Sequence, residues 1–187
     1  MKFLKEFVFR KGYVMKKWSL VSLGLLALAS FSLGCSQEAE TKTPSVAVDS
    51  SKYLLTSEPE GAQDVIAVRE SAQDQDEVVV VGRIGGSENP WIDGRTAFTI
   101  VDPSLQACSD IPGDQCEKPW DYCCATDKLP GATALIKVVD ENGDLIKADA
   151  REALKLTELQ TVVVKGKASR DENGNLTVLA NSLYVRS

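Results

Sequence analysis

Val78-Val79-Val80-Val81-Gly82-Arg83-Ile84 decides the fold. A run of β-branched residues that stops at Gly85-Gly86 reads as a strand, and a glycine inside it marks a sharp bend. Working outward, Thr96-Ala97-Phe98-Thr99-Ile100-Val101 follows after a polar loop and predicts a second strand. A third run, Ala132 to Val139, ends at Asp140-Glu141-Asn142-Gly143. Ala150, Ala153, Leu154 and Thr157 then recur at helical spacing and predict a helix over 148–159. Thr161-Val162-Val163-Val164-Lys165-Gly166-Lys167 and Leu176-Thr177-Val178-Leu179-Ala180 flank Asp171-Glu172-Asn173-Gly174 and predict a hairpin. The repeated Asp-Glu-Asn-Gly reads as two turns. It is not a calcium loop, because Gly143 falls fourth in its run, where such a loop needs glycine sixth.

Three strands, a helix and two strands is the order of an OB-fold, a five-stranded Greek-key barrel in which one helix sits between strands three and four. The mid-strand glycines Gly82 and Gly166 suit the corners of bent barrel strands. Val-x-Val-x-Gly-x-Ile, Val-Val-Lys-Gly-Lys and Leu-x-Val-x-Ala resemble bacterial OB-fold domains of the nucleic-acid-binding-like type, over about 110 residues. Ahead of the barrel, Ser57-Glu58-Pro59-Glu60 carries a capping serine and a glutamate three residues later, which predicts an additional N-terminal helix over 58–72. The expected class is therefore mainly β, with the OB-like domain spanning 57–187.

Residues 103–131 form a loop too long for a simple connection, and they contain Cys108, Cys116, Cys123 and Cys124. How these cysteines should be read depends on the N-terminus. Met15-Lys16-Lys17, an apolar run from Trp18 to Leu33 and then Gly34-Cys35 resemble a bacterial lipoprotein export signal, with Ser32 where such signals usually carry leucine. That resemblance implies lipidation at Cys35, a membrane partner through that lipid, and a place in the cell envelope. An ordinary cleavage after Ala27-Leu28-Ala29 would instead give a secreted or periplasmic protein. Residues 1–34 are then the export signal, with 1–14 reading as a misplaced start before Met15. Residues 35–56, rich in Ser, Thr, Glu and Ala, read as a flexible tether. The block Lys118-Pro119-Trp120-Asp121-Tyr122-Cys123-Cys124 is similar to one in planctomycete lipoproteins, a likeness that brings no reaction with it.

Assigning Cys35 to lipid leaves four of the five cysteines in one loop of an exported chain, so two disulfides are the favoured expectation. A ring between the neighbours Cys123 and Cys124 is strained, which favours Cys108 with Cys123 and Cys116 with Cys124, or the crossed pairing. The alternative is a metal-binding or electron-transfer site using the same four thiolates, alone or with Asp110, Asp114, Asp121 or Asp127. Thiolates suit zinc, copper(I) or iron–sulfur. Against zinc stands the spacing, since Cys-x-x-Cys knuckles are absent and adjacent cysteines hold one ion poorly. A redox-active dithiol is the third reading.

The charge narrows the partners. Taking away residues 1–34, with six of the 21 basic and one of the 27 acidic side chains, leaves 15 against 26, a balance of −11. Such a domain repels phosphate backbones, so nucleic acid is not an expected partner. A glycan or peptide remains open, with Trp91, Trp120 and Tyr122 as candidate stacking residues. Catalysis finds little footing: the chain contains no histidine, and no phosphate loop or dinucleotide fingerprint is present. The expectation is a binding or structural module without enzymatic activity or cofactor.

Overall fold

The computed structural model of the protein describes residues 48–186. The expected export signal, Cys35 and the expected tether as far as residue 47 lie outside the described residues. Six strands form one sheet: β1 (Gln63–Asp64), β2 (Glu77–Ile84), β3 (Ala97–Val101), β4 (Thr133–Val138), β5 (Thr161–Arg170) and β6 (Leu176–Val185). The order is β1-β2-β3-β4-β6-β5, and β5 pairs back onto β2, so β2 to β6 close a five-stranded barrel. The β4–β6 pair is parallel, whereas β2–β3, β3–β4, β5–β6 and β2–β5 are antiparallel. With the short helix α3 (Ala150–Leu154) between β4 and β5, this is an OB-like barrel.

The β-branched runs make the barrel because their inward residues fill it. Val80, Ile84, Phe98, Ile100, Ile136, Val138, Val162, Val164, Val178 and Leu183 form one buried cluster, joined by Ala150 and Leu154 of α3. The two mid-strand glycines sit where strands press together. A Cβ on Gly82 would stand 2.9 Å from Val101 O, and one on Gly166 would run into Leu179 O at the β5–β6 bulge.

Four boundaries differ from the sequence expectation. The N-terminal helix α1 covers only Val65–Ser71. Gly61 turns the chain at φ +79°, and Gln63–Asp64 pair in parallel with Val80–Val81 before the helix begins. Its ends are held from afar. The buried Asp102 carboxylate accepts the Ile66 N–H at 2.7 Å, and Arg170 donates to the carbonyls of Ala72 (3.0 Å), Val68 (3.4 Å) and Arg69 at the C-terminus. α3 is shorter than expected because Lys155 turns left-handed at φ 56°. β5 and β6 run to ten residues each, past their apolar stretches, because their outward positions need pairing and not burial. Finally, ordered structure begins before Ser57: Leu54 bridges Leu183, and Tyr53 and Leu54 pack on the core.

Both Asp-Glu-Asn-Gly segments are turns. Asp140 Oδ1 accepts the amides of Asn142 and Asp144, and Asp171 Oδ1 accepts those of Asn173 and Asn175. Among the described residues no helix is long and apolar enough to cross a membrane.

Candidate metal centre

The cysteine loop leaves β3 at Val101 and returns through the one-turn helix α2 (Leu129–Ala132) into β4. It has a small core of its own: Val101, Leu105, Ala107, Tyr122 and Ala132 are buried together, with Ile66, Ala125, Leu129 and Leu159 against them. Gly85-Gly86, at the end of β2, is its seat. The Gly86 amide donates to Trp120 O at 2.8 Å, and a Cβ on Gly85 would stand 2.5 Å from Trp120 O and 2.9 Å from the Tyr122 ring. Only a residue without a Cβ lets the loop lie this close.

On that seat the loop folds into three 3-10 turns, Cys108–Asp110, Pro119–Asp121 and Cys123–Ala125. Tyr122 joins the last two in a left-handed conformation, φ 57°. Its fully buried ring anchors the hinge, and burial raises its hydroxyl above the ordinary tyrosine range. Two aspartates set the cysteines. Asp114 Oδ1 accepts the amide of Cys116 at 2.7 Å, and Asp121 Oδ1 accepts that of Cys123 at 2.8 Å. Each carboxylate thus stands two residues before the cysteine it fixes, an Asp-x-Cys spacing that occurs twice in the loop.

The four sulfurs converge. Cys108 Sγ lies 3.4 Å from Cys123 Sγ and 4.0 Å from Cys124 Sγ; Cys116 Sγ and Cys123 Sγ are 3.7 Å apart, and Cys123 and Cys124 are 3.9 Å apart. None of these separations approaches the roughly 2.05 Å of a disulfide bond. They match another geometry. Thiolates about 2.3 Å from a tetrahedral zinc stand about 3.8 Å from one another, and a carboxylate ligand stands about 3.5 Å from each of them. Asp121 Oδ1 is 3.8 Å from both Cys108 Sγ and Cys116 Sγ. Cys108, Cys116, Asp121 and Cys123 therefore make a four-donor group whose ligand atoms all lie within 4.8 Å of one another. A second group, within the same limit, consists of Cys108, Asp114 and Cys124.

This answers the objection raised by adjacent cysteines. Cys123 faces the first group, whereas Cys124 leans toward Asp114, 3.5 Å away. Cys108 is wholly buried and common to both groups; Cys123 and Cys124 are exposed. Burial pushes the Cys108 thiol up, but hydrogen bonds from the Cys124 backbone and from the thiols of Cys123, Cys124 and Cys116 outweigh it and hold its pKa below the usual thiol value. Cys123 is raised, first by its hydrogen bond to Cys108 and then by that to Cys116.

The other sequence candidates lie elsewhere. Asp110 pairs with Arg83, and Asp127 belongs to neither donor group. Trp91, expected as a stacking surface, is 4 % exposed and belongs to the barrel core. It packs on Phe98 at a ring separation of 5.8 Å and donates from Nε1 to Glu158 at 2.7 Å. Arg151 covers its remaining face, 5.7 Å from the ring centre. Tyr122 is buried as well, so the two residues present no stacking face. Trp120 alone of the three is half-exposed, and its Nε1 donates to Glu88 O at 3.1 Å.

No protein-family model and no curated protein matches this chain. Its function has to be read from the site itself.

Proposed function

We propose that this protein is a metal-binding module of the cell envelope, an OB-like barrel that carries a thiolate centre in the loop between β3 and β4. The observation that carries the reading is the convergence of Cys108, Cys116, Cys123 and Asp121, whose ligand atoms all lie within 4.8 Å of one another, at separations suited to a single ion and too long for sulfur–sulfur bonds. Three thiolates and a carboxylate are a donor set for a borderline-soft ion, and zinc suits it best. The folded barrel brings together ligands from three separate turns of the loop, so ion binding stabilises the loop by the same free energy with which the loop binds the ion.

The envelope part of the proposal rests on the resemblance of Met15 to Cys35 to a lipoprotein export signal, with the lipid on Cys35 as membrane anchor. The role is binding and not catalysis: no histidine stands ready as a base, and the donor set of the first group is complete without substrate. The acidic surface and the enclosed Trp91 and Tyr122 give no support to nucleic-acid or glycan stacking.

Metal analysis of the full-length protein purified from its own cells without chelators, combined with thiol alkylation before and after reduction, tests the reading. Metal bound in a whole-number ratio to the chain, with Cys108, Cys116 and Cys123 alkylated only after chelation, is the expected result. A metal-free protein whose loop cysteines become alkylated only after reduction would instead make the loop disulfide-stapled.

A further inference from the structure

The loop contains more donors than one ion can use. Beyond the four of the first group stand Cys124 and Asp114, which form a second group with Cys108. The first group supplies four donors, which completes a tetrahedral shell. The second supplies three, which leaves one position unfilled. Beside Cys124 opens a cleft of about 610 Å³, lined among others by Ile66, Leu105, Ile111, Ala125 and Lys128. Cys124 belongs both to this second group and to the cleft wall.

We propose that the loop holds two divalent ions that share the Cys108 thiolate: a closed one on Cys108, Cys116, Cys123 and Asp121, and an open one on Cys108, Asp114 and Cys124 that takes a small anionic ligand from the cleft. The inference rests on the metal-binding reading above. Charge favours it as well. With one ion in the first group Cys124 keeps its proton, so three thiolates and the carboxylates of Asp114 and Asp121 set five negative charges against two; the second ion displaces the Cys124 proton and sets six against four, which lowers the excess from three to two. Burial favours it too. Cys108, the donor common to both groups, is the fully buried one, where a thiolate most needs cations on both sides. Lys128 in the cleft wall supplies positive charge for an anion bound to the open ion. Each ligating thiol releases its proton to solvent as the ion binds, with no change of oxidation state.

Cadmium, a soft tetrahedral substitute for zinc with a spin-active isotope, provides the probe. The reduced, metal-free full-length chain is titrated with ¹¹³Cd²⁺ and examined by native mass spectrometry and ¹¹³Cd NMR. The expected result is two cadmium ions per chain and two resonances that show mutual scalar coupling through the shared sulfur. Cys124→Ser and Asp114→Asn, both away from the barrel core, should each keep the barrel's circular dichroism and lower the ratio to one. Chloride or acetate should shift one of the wild-type resonances and leave the other in place. One ion in the wild type, unchanged in both variants, would overturn the two-ion inference and leave the metal-binding reading standing. Two ions without coupling would overturn the shared thiolate. Failure to bind any cadmium would remove both.

Discussion

Gly166→Ala tests the barrel most sharply, because the added atom meets backbone and not a movable side chain. The Cβ would run into Leu179 O and stand 2.7 Å from Ala180 Cα and 2.8 Å from Leu179 C, at the bulge where β5 shifts register against β6. Overpacking in a tight core costs about 1 to 3 kcal/mol. Opening the ladder to relieve it loses about two hydrogen bonds at roughly 1 kcal/mol each. The expected loss is thus about 3 to 5 kcal/mol, a large part of the roughly 5 to 15 kcal/mol that holds a domain of this size. At about 3 °C per kcal/mol this lowers Tm by about 9 to 15 °C. Thermal unfolding followed by circular dichroism measures it, with Gly131→Ala as control: its Cβ would enter open space, so Tm should move by no more than about 2 °C. A Gly166→Ala protein that melts within the range of the control refutes the close β5–β6 contact and, with it, the reason for a glycine there.

Other substitutions separate the site from the scaffold. Gly85→Ala should push the Trp120–Tyr122 segment off the end of β2, weakening metal binding at least tenfold in a chelator competition while the barrel's far-UV spectrum stays as it is. Trp91→Ala should cost about 3 to 5 kcal/mol in urea unfolding, because it empties a core position and leaves Glu158 without its donor, and it should not alter metal content. Asp149→Asn keeps the cap on α3 but removes the charge that Arg151 stabilises. The Arg151 hydrogen bonds hold the Asp149 carboxyl below its ordinary value, so the wild type's advantage is full above about pH 4 and fades as pH falls through the depressed value. Urea midpoints of the two proteins should differ at pH 7 and converge in strong acid.

The barrel was legible because its signals are local. A β-branched run, an Asn-Gly turn and a glycine within a strand each announce themselves over a few residues, and β2 to β6 follow them closely. The helix at Ser57–Glu60 was not, because the capping pattern there competes with a glycine turn at Gly61 and with strand pairing to Val80–Val81, contacts invisible along the chain. For the site, the sequence placed all four cysteines in one loop and named Asp114 and Asp121 among possible ligands. What it hid was direction. Whether Cys123 and Cys124 face one ion or two groups depends on the left-handed turn at Tyr122, and the seat at Gly85-Gly86 depends on a loop more than 30 residues onward. Trp91 misled because an aromatic in a polar loop looks the same whether it covers a ligand or a barrel end. The doubled Asp-x-Cys spacing was the one local sign of the centre that the sequence carried in plain view.

X-ray absorption at the edge of whatever metal accompanies the full-length protein from its own cells tests the central claim most directly. The account predicts zinc-type tetrahedral coordination with sulfur at about 2.3 Å and a minority of oxygen at about 2.0 Å. A protein without metal, whose sulfur edge shows only disulfide, would contradict it.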